Sequence, residues 1–187
     1  CPLPGRSILF DNGLLYLTVE ICDKTSQLFP LPQRNIQLSV HVRSAAMADI
    51  DELTRLFDGY RMFYEQTSDL DLARSFLKNR IEKDESRIFV GDNGDGSCCG
   101  FTQLFPSFSS VSAVPIWILN DLYVENSARK QGVGRLLMNK ARDFALETDS
   151  KGILLETATT NINAQALYES LGYKKNSGSF FYFLDLP

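Results

Sequence analysis

Ile36, Leu38, Val40 and Val42 alternate with Gln37, Ser39, His41 and Arg43, the period-two pattern of a strand with one buried face. The spacing then changes. Ile50, Leu53, Leu56, Phe57, Tyr60 and Tyr64 recur every three or four positions, as do Leu72, Phe76, Leu77 and Ile81, and each set predicts an amphipathic helix. Asp69 is placed to cap the second of these. Arg87 to Gly91 and Ser97 to Phe105 are apolar runs separated by Asp92-Asn93-Gly94-Asp95-Gly96, which predicts an antiparallel pair. Pro106 to Ala113, rich in serine, reads as a loop, and Ile116 to Val124, almost continuously apolar, as a central strand. Leu136, Leu137, Ala141, Phe144 and Ala145 keep one helical face up to Ser150-Lys151-Gly152. Ile153 to Ala158 reads as a strand and Asn163 to Ser170 as a short helix, with Tyr173 and Phe180 to Leu184 as closing strand material.

Strands paired first by hairpin and then joined through helices predict an α/β (α+β) fold with a mixed sheet covered by helices. Upstream of it, two apolar runs flank Asp11-Asn12-Gly13, a hairpin signal, and Phe29-Pro30-Leu31-Pro32 reads as a linker. Residues 1–35 are therefore expected to be an appendage and residues 36–187 the domain proper. Unpaired strand groups on such a hairpin invite a second copy, so a homodimer is an expectation.

At 187 residues and 44% hydrophobic content, one well-packed domain is expected. The 19 basic and 23 acidic residues are interspersed, for a net charge of -4, and argue against nucleic acid or an anionic membrane as partner. Cys1, Cys22, Cys98 and Cys99 have no metal-ligand spacing, and the vicinal pair is poorly placed for a disulfide, so no metal and a reducing, cytoplasmic setting are expected. No apolar run approaches the roughly 20 residues of a membrane helix.

The sharpest local signal is Arg129-Lys130-Gln131-Gly132-Val133-Gly134-Arg135, between a buried strand and an amphipathic helix. Such a junction presents unsatisfied backbone N–H groups and the positive end of the helix dipole, and two glycines let phosphate oxygens approach the main chain. The glycines also fit a tight turn and close helix packing. A Walker loop would need Gly-Lys followed by Ser or Thr, and a dinucleotide fingerprint a third glycine where Leu137 stands, which disfavours a nucleotide.

Leu122-Tyr123-Val124 followed by Arg129-x-x-Gly132-x-Gly134 resembles the acetyl-coenzyme A motif of the GNAT superfamily. Asn161-x-x-Ala164-x-x-Leu167-Tyr168-x-x-x-Gly172-Tyr173 resembles a second pattern of that family, in the right order. The resemblance covers about residues 36–184. It implies a GNAT-like, mostly antiparallel central sheet with splayed central strands, and an acetyl-CoA-dependent N-acetyltransferase with coenzyme A as product.

Carried over by position, the resemblance implies that main-chain groups of the Leu122-Tyr123-Val124 segment meet the acetyl carbonyl and pantetheine arm. Backbone N–H groups from Lys130 to Arg135 would hold the pyrophosphate, with the Arg129, Lys130 or Arg135 side chains adding charge or remaining solvated. Asn161 would meet the pantetheine arm, or else cap the following helix. Tyr168 matches the general acid for the departing thiolate, and a phenol near 10 facing a thiol near 8.5 leaves a gap of about 1.5 units, or roughly 2 kcal/mol.

The base is less directly marked. An alkylamine near 10.4 must lose its proton, about 4.6 kcal/mol uphill at pH 7. Asn120-Asp121-Leu122-Tyr123-Val124 resembles the matching segment of diamine and polyamine acetyltransferases, with Asn120 where those often carry glutamate. Asp121 is the nearest carboxylate, and Glu65 and Glu125 are weaker candidates. Leu56 to Glu65 looks like a subgroup related to yeast histone and polyamine acetyltransferases, and its Tyr60, Tyr64 and Glu65 would suit a cationic amine by cation–π contact and charge pairing. Attack of a small amine, polyamine or lysine-type acceptor in a ternary complex is the reading. A non-catalytic acyl-CoA-binding sensor or scaffold is the alternative, disfavoured by Tyr168 beside a carboxylate.

Overall fold

The computed structural model describes residues 6–11, 14–19, 27–30, 40–178, 180 and 182–186. The chain divides into two compact units, residues 1–37 and 38–187. In the first, β1 (Arg6–Asp11) and β2 (Leu14–Val19) pair antiparallel with Asp11 opposite Leu14, as the Asn-Gly signal requires. A third strand, β3 (Gln27–Pro30), adds to β2. Phe29-Pro30 thus belongs to a strand and not to a linker, and Pro30, which has no N–H to donate, is accommodated because β3 is at the sheet edge. Leu31-Pro32 and the first part of the strand expected from Ile36 lie outside the described residues.

The second unit runs β4 (His41–Ser44), α1 (Ile50–Phe63), α2 (Leu70–Glu82), β5 (Arg87–Asp92), β6 (Cys98–Ser109), β7 (Val114–Val124), α3 (Val133–Glu147), β8 (Ile153–Leu155) and α4 (Ile162–Ser170). Its sheet has the order β4-β5-β6-β7-β8, antiparallel except for the parallel β7–β8 pair. Side chains of β5 alternate between two covered faces. Ile88 and Val90 pack with Leu53, Leu56, Phe57 and Leu77 of α1 and α2, while Phe89 packs with Val133, Leu137, Met138 and Ala141 of α3. Helices on both faces explain why these strands read as nearly unbroken apolar runs. Among the described residues, no helix is long and apolar enough to cross a membrane.

Three local expectations fail. The strand expected over Ile153 to Ala158 ends at Leu155. Pro106 to Ser109 extends β6 instead of forming a loop. Pro106 lies opposite Trp117, whose N–H bonds to Gly152 on the far side of β7, so this pair exchanges no ladder bonds and the missing proline N–H faces the side left open by β5, whose pairing with β6 stops at Arg87 opposite Leu104. Beyond Ser170 the described residues form no strand, and Phe180, Tyr182, Phe183 and Leu184 are exposed. That aromatic run lacks the alternation that would commit one face to a core. Tyr173 instead packs beside Tyr168, ring centroids 6.0 Å apart.

The α1–α2 connection is pinned from within. Asp58, buried on α1, accepts from Ser68 Oγ at 2.7 Å and from the Asp69 N–H at 2.8 Å, with Arg61 at 3.4 Å. Asp69 then caps α2 by accepting from the Leu72 N–H at 2.9 Å.

Candidate active site

The β7–β8 pairing covers only Trp117 to Leu119, after which β8 ends and β7 continues to Val124 beside β6 alone. The register slips between Gln103 and Leu104, so Asn120 is an extra residue between Leu119 and Asp121, a bulge that re-aims the strand. Beyond it the antiparallel ladder alternates. Glu125 N–H donates to Cys99 O at 3.0 Å, which sets Tyr123 and Asp121 in the same phase toward β6 and leaves the N–H and C=O of Leu122 and Val124 facing the open edge. The Val124 carbonyl accepts from Arg129 Nε at 2.8 Å, while the Asp121 carbonyl accepts from Thr102 Oγ1 at 2.9 Å on the β6 side.

The loop after β7 turns twice through left-handed backbone, at Lys130 (φ 61°) and Gly132 (φ 87°). The second is a conformation only glycine adopts without strain. The helix α3 then begins, its first ladder bond running from Leu136 N–H to Gly132 O at 3.1 Å, so the N–H groups of Val133, Gly134 and Arg135 precede the ladder. The two glycines have separate duties. A Cβ on Gly132 would meet nothing within 4 Å, whereas one on Gly134 would lie 3.3 Å from Leu167 of α4. Conformation requires the first, which faces open space, and helix packing the second.

A cleft of about 890 Å³ extends from this loop along the open edge of β7. Of the residues the sequence singles out, Leu122, Tyr123, Val124, Arg129, Lys130, Gly132, Val133, Gly134, Arg135, Asn161, Tyr168, Tyr60, Tyr64 and Glu65 line it. Gln131 does not, and its amide donates to Ser127 O at 2.8 Å. Asp121 does not either, being buried beneath the cleft next to Tyr60. Asn161 caps α4, its Oδ1 accepting from the Ala164 N–H at 3.3 Å, and the residue also borders the cleft. Phe63, within the aromatic Leu56 to Glu65 segment, also borders it, as do Glu156, Thr160 and Asn163, which no local pattern marked.

Residues 50–173 match the acetyltransferase (GNAT) family. The chain is 43% identical over 148 residues to YhfO of Bacillus subtilis strain 168, described as an uncharacterized N-acetyltransferase, covering 79% of this chain and 99% of that one. A "probable acetyltransferase" of Haemophilus influenzae is 33% identical over 128 residues, 68% of this chain and 86% of its own. The crystal structure of a "probable acetyltransferase" superposes with a TM-score of 0.74 at 36% identity, covering 79% of this chain and 98% of that one. The chain belongs to the GNAT family of acetyltransferases.

GNAT enzymes draw the acetyl group from acetyl-coenzyme A and pass it to amines. An extended thioester carrying a pyrophosphate fits this cleft, since unladdered N–H groups stand at one end and free strand edge runs along its length.

The electrostatics of this GNAT site centre on three groups. Burial raises the Asp121 carboxyl to about 6, the Tyr60 hydroxyl acting in the opposite direction. Tyr60 itself, whose hydroxyl donates to Asn120 O at 3.3 Å, is held far above the usual phenol range by burial and by the Asp121 charge. Burial, with smaller contributions from Tyr64 and Tyr173, pushes Tyr168 up to about 12. The gap to a thiol near 8.5 therefore widens from the sequence-based 1.5 units to about 3.5, although burial in the same cleft penalises a thiolate as well. Glu125 pairs with Arg55, which also holds Glu52 and Cys98 O, and is committed to that network.

Proposed function

We propose that the chain acetylates a primary amine on a small cationic acceptor, a polyamine or a lysine-type side chain, by direct attack in a ternary complex. The observation that carries this reading is the continuity of one cleft, from the start of α3, past the Asn120 bulge, to a wall of Tyr60, Tyr64 and Glu65. Aromatic faces and a carboxylate at the lip recognise a cation. Glu156 adds a second carboxylate to the lining.

Acetyl-coenzyme A supplies an activated thioester carbonyl. The N–H groups of Val133, Gly134 and Arg135 hold the pyrophosphate, and the Leu122 and Val124 main chain aligns the pantetheine arm and carbonyl, with Asn161 alongside. Lys130 and Arg135 add positive charge at the mouth, Arg135 being steadied by Ser170 Oγ at 2.8 Å. Asp121 receives the amine proton by way of the Tyr60 hydroxyl, which lines the cleft above it, and Tyr168 donates a proton to the departing sulfur. Among the described residues, direct transfer is supported by the placement of the two cysteines, Cys98 and Cys99: both are buried, neither borders the cleft, and burial pushes the Cys98 thiol up to about 11.

Calorimetric titration of acetyl-coenzyme A into the wild type and Gly134→Trp, followed by a thiol-release assay over an amine panel, tests the reading. Binding that is lost in the variant, with amine-dependent release, is the expected result. Binding without turnover on any amine would favour a sensor or scaffold, and absence of binding would overturn the reading.

A further inference from the structure

Arg129 opens the phosphate loop, yet its side chain is engaged elsewhere. Its Nε donates to Val124 O at 2.8 Å, and its guanidinium carbon lies 5.7 Å from the Phe63 ring centroid and 5.8 Å from that of Tyr123. Both rings lead to α1. Phe63 is the last residue of that helix, and the Tyr123 hydroxyl lies against Gly59, where an added Cβ would stand 2.8 Å from the phenol oxygen. The guanidinium thus closes a ring of contacts from the end of β7 to the C-terminal turn of α1. Phe63 is 51% exposed, and its ring contacts are this cation and Tyr64, at 5.3 Å. Tyr64 in turn meets Tyr60 at 5.0 Å, so the two tyrosines of the acceptor wall are linked through Phe63 to Arg129.

We propose that Arg129 is a positioning residue for the acceptor wall and not a ligand of the pyrophosphate: it fastens the loop that grips the donor to Phe63, and through Phe63 to Tyr64 and Tyr60. The inference rests on the acetyl-coenzyme A reading above. A phosphate drawing on this guanidinium would have to compete with a carbonyl and two ring faces, while the unladdered N–H groups of α3 and the exposed Lys130 border the same cleft. An Arg at this position therefore couples the donor loop to the acceptor side by cation–π contact.

Hydrogen exchange of the full chain, with and without saturating coenzyme A, provides the test, read on the amides of Tyr64, Glu65 and Gln66. These bond to Tyr60, Met62 and Arg61 carbonyls and report the last turn of α1. In the wild type, coenzyme A slows their exchange. In Arg129→Gln its affinity changes by less than about threefold, that slowing disappears, and the KM of the best amine from the panel rises about tenfold. Phe63→Leu, which leaves the Arg129–Val124 bond in place, gives the same exchange result, and the double variant is no worse than either single one. A loss of coenzyme A affinity of about tenfold or more in Arg129→Gln, with the exchange response kept, would make Arg129 a phosphate ligand and overturn the proposal. Global loss of protection in Arg129→Gln would mark unfolding, and the Phe63→Leu response alone would then decide. A wild type that does not bind coenzyme A fails differently, by removing the functional reading itself.

Discussion

Tyr168 and Asp121 face the same physical pressure with different consequences. Burial disfavours the anion of each, so the phenol rises to about 12 and the carboxyl to about 6. For Tyr168 this means a neutral O–H throughout the physiological range, ready to donate. Replacement by Phe removes the proton but keeps the ring packing against Tyr173, and kcat should fall by about 10²-fold with acetyl-coenzyme A affinity unchanged. Single-turnover kinetics beside calorimetry would separate the two effects; an unchanged kcat would assign the phenol to packing alone. For Asp121 the shift runs against stability. Its folded value lies above the unfolded carboxylate value, so the native state holds the proton more tightly and stability declines as pH rises from about 4 to about 6. Above that window the buried charge costs up to about 3 kcal/mol. Asp121→Asn should therefore melt several degrees higher than the wild type at pH 7.5 and equally at pH 4. It should also lose the acidic limb of kcat/KM, which in the wild type falls below an apparent value of about 6. Equal melting temperatures at pH 7.5 would show that Asp121 is not held as a buried charge.

Among the elements, α1 and its connection to α2 join fold to function, because the residues that pin the connection immediately flank those that wall the cleft. Asp58 is buried, which by itself would raise its carboxyl, but Ser68, the Asp69 N–H and Arg61 outweigh burial and hold it below the usual range. Its stabilising effect is present above the unfolded carboxylate value and is lost as pH falls toward the depressed folded one. Asp58→Ala leaves the Asp69 N–H and Ser68 without their acceptor, and should cost about 3 kcal/mol at neutral pH and raise acceptor KM, with thermal melts and steady-state kinetics as the readouts. The four helices and the strands β5, β6 and β7 were legible in the sequence because their periodicity is local, and so was the contiguous glycine-containing loop before α3. Pro106 to Ser109 was not, because a proline opposite Trp117 is tolerable only once it is known that β5 stops short. Nor was the full site. Glu156, Thr160 and Asn163 converge through the splay of β7 from β8, and Asp121 sits beneath Tyr60 because a one-residue bulge at Asn120 resets which face each side chain takes.

At the scale of the whole molecule, the described residues that border the cleft lie between Tyr60 and Tyr168, inside the unit spanning 38–187, and so does the family match at 50–173. A Bacillus subtilis relative matched over 99% of its length by 148 residues of this chain argues that a unit of this size suffices for the GNAT fold. Residues 38–187 alone should accordingly bind acetyl-coenzyme A within about twofold of the full chain. The first unit holds a three-stranded sheet. Its two edges differ: β3 carries Pro30, which blunts that edge, whereas β1, among the described residues, pairs with β2 alone and leaves its other side without a strand within the sheet. A long edge without proline between Arg6 and Asp11 suits pairing with β1 of a second copy. Light scattering behind size-exclusion chromatography should therefore return twice the chain mass for the full protein and a single mass for residues 38–187. Equal oligomeric states would sink edge pairing as the role of this sheet, while a shortened chain that no longer binds acetyl-coenzyme A would show that the first unit contributes to the site after all.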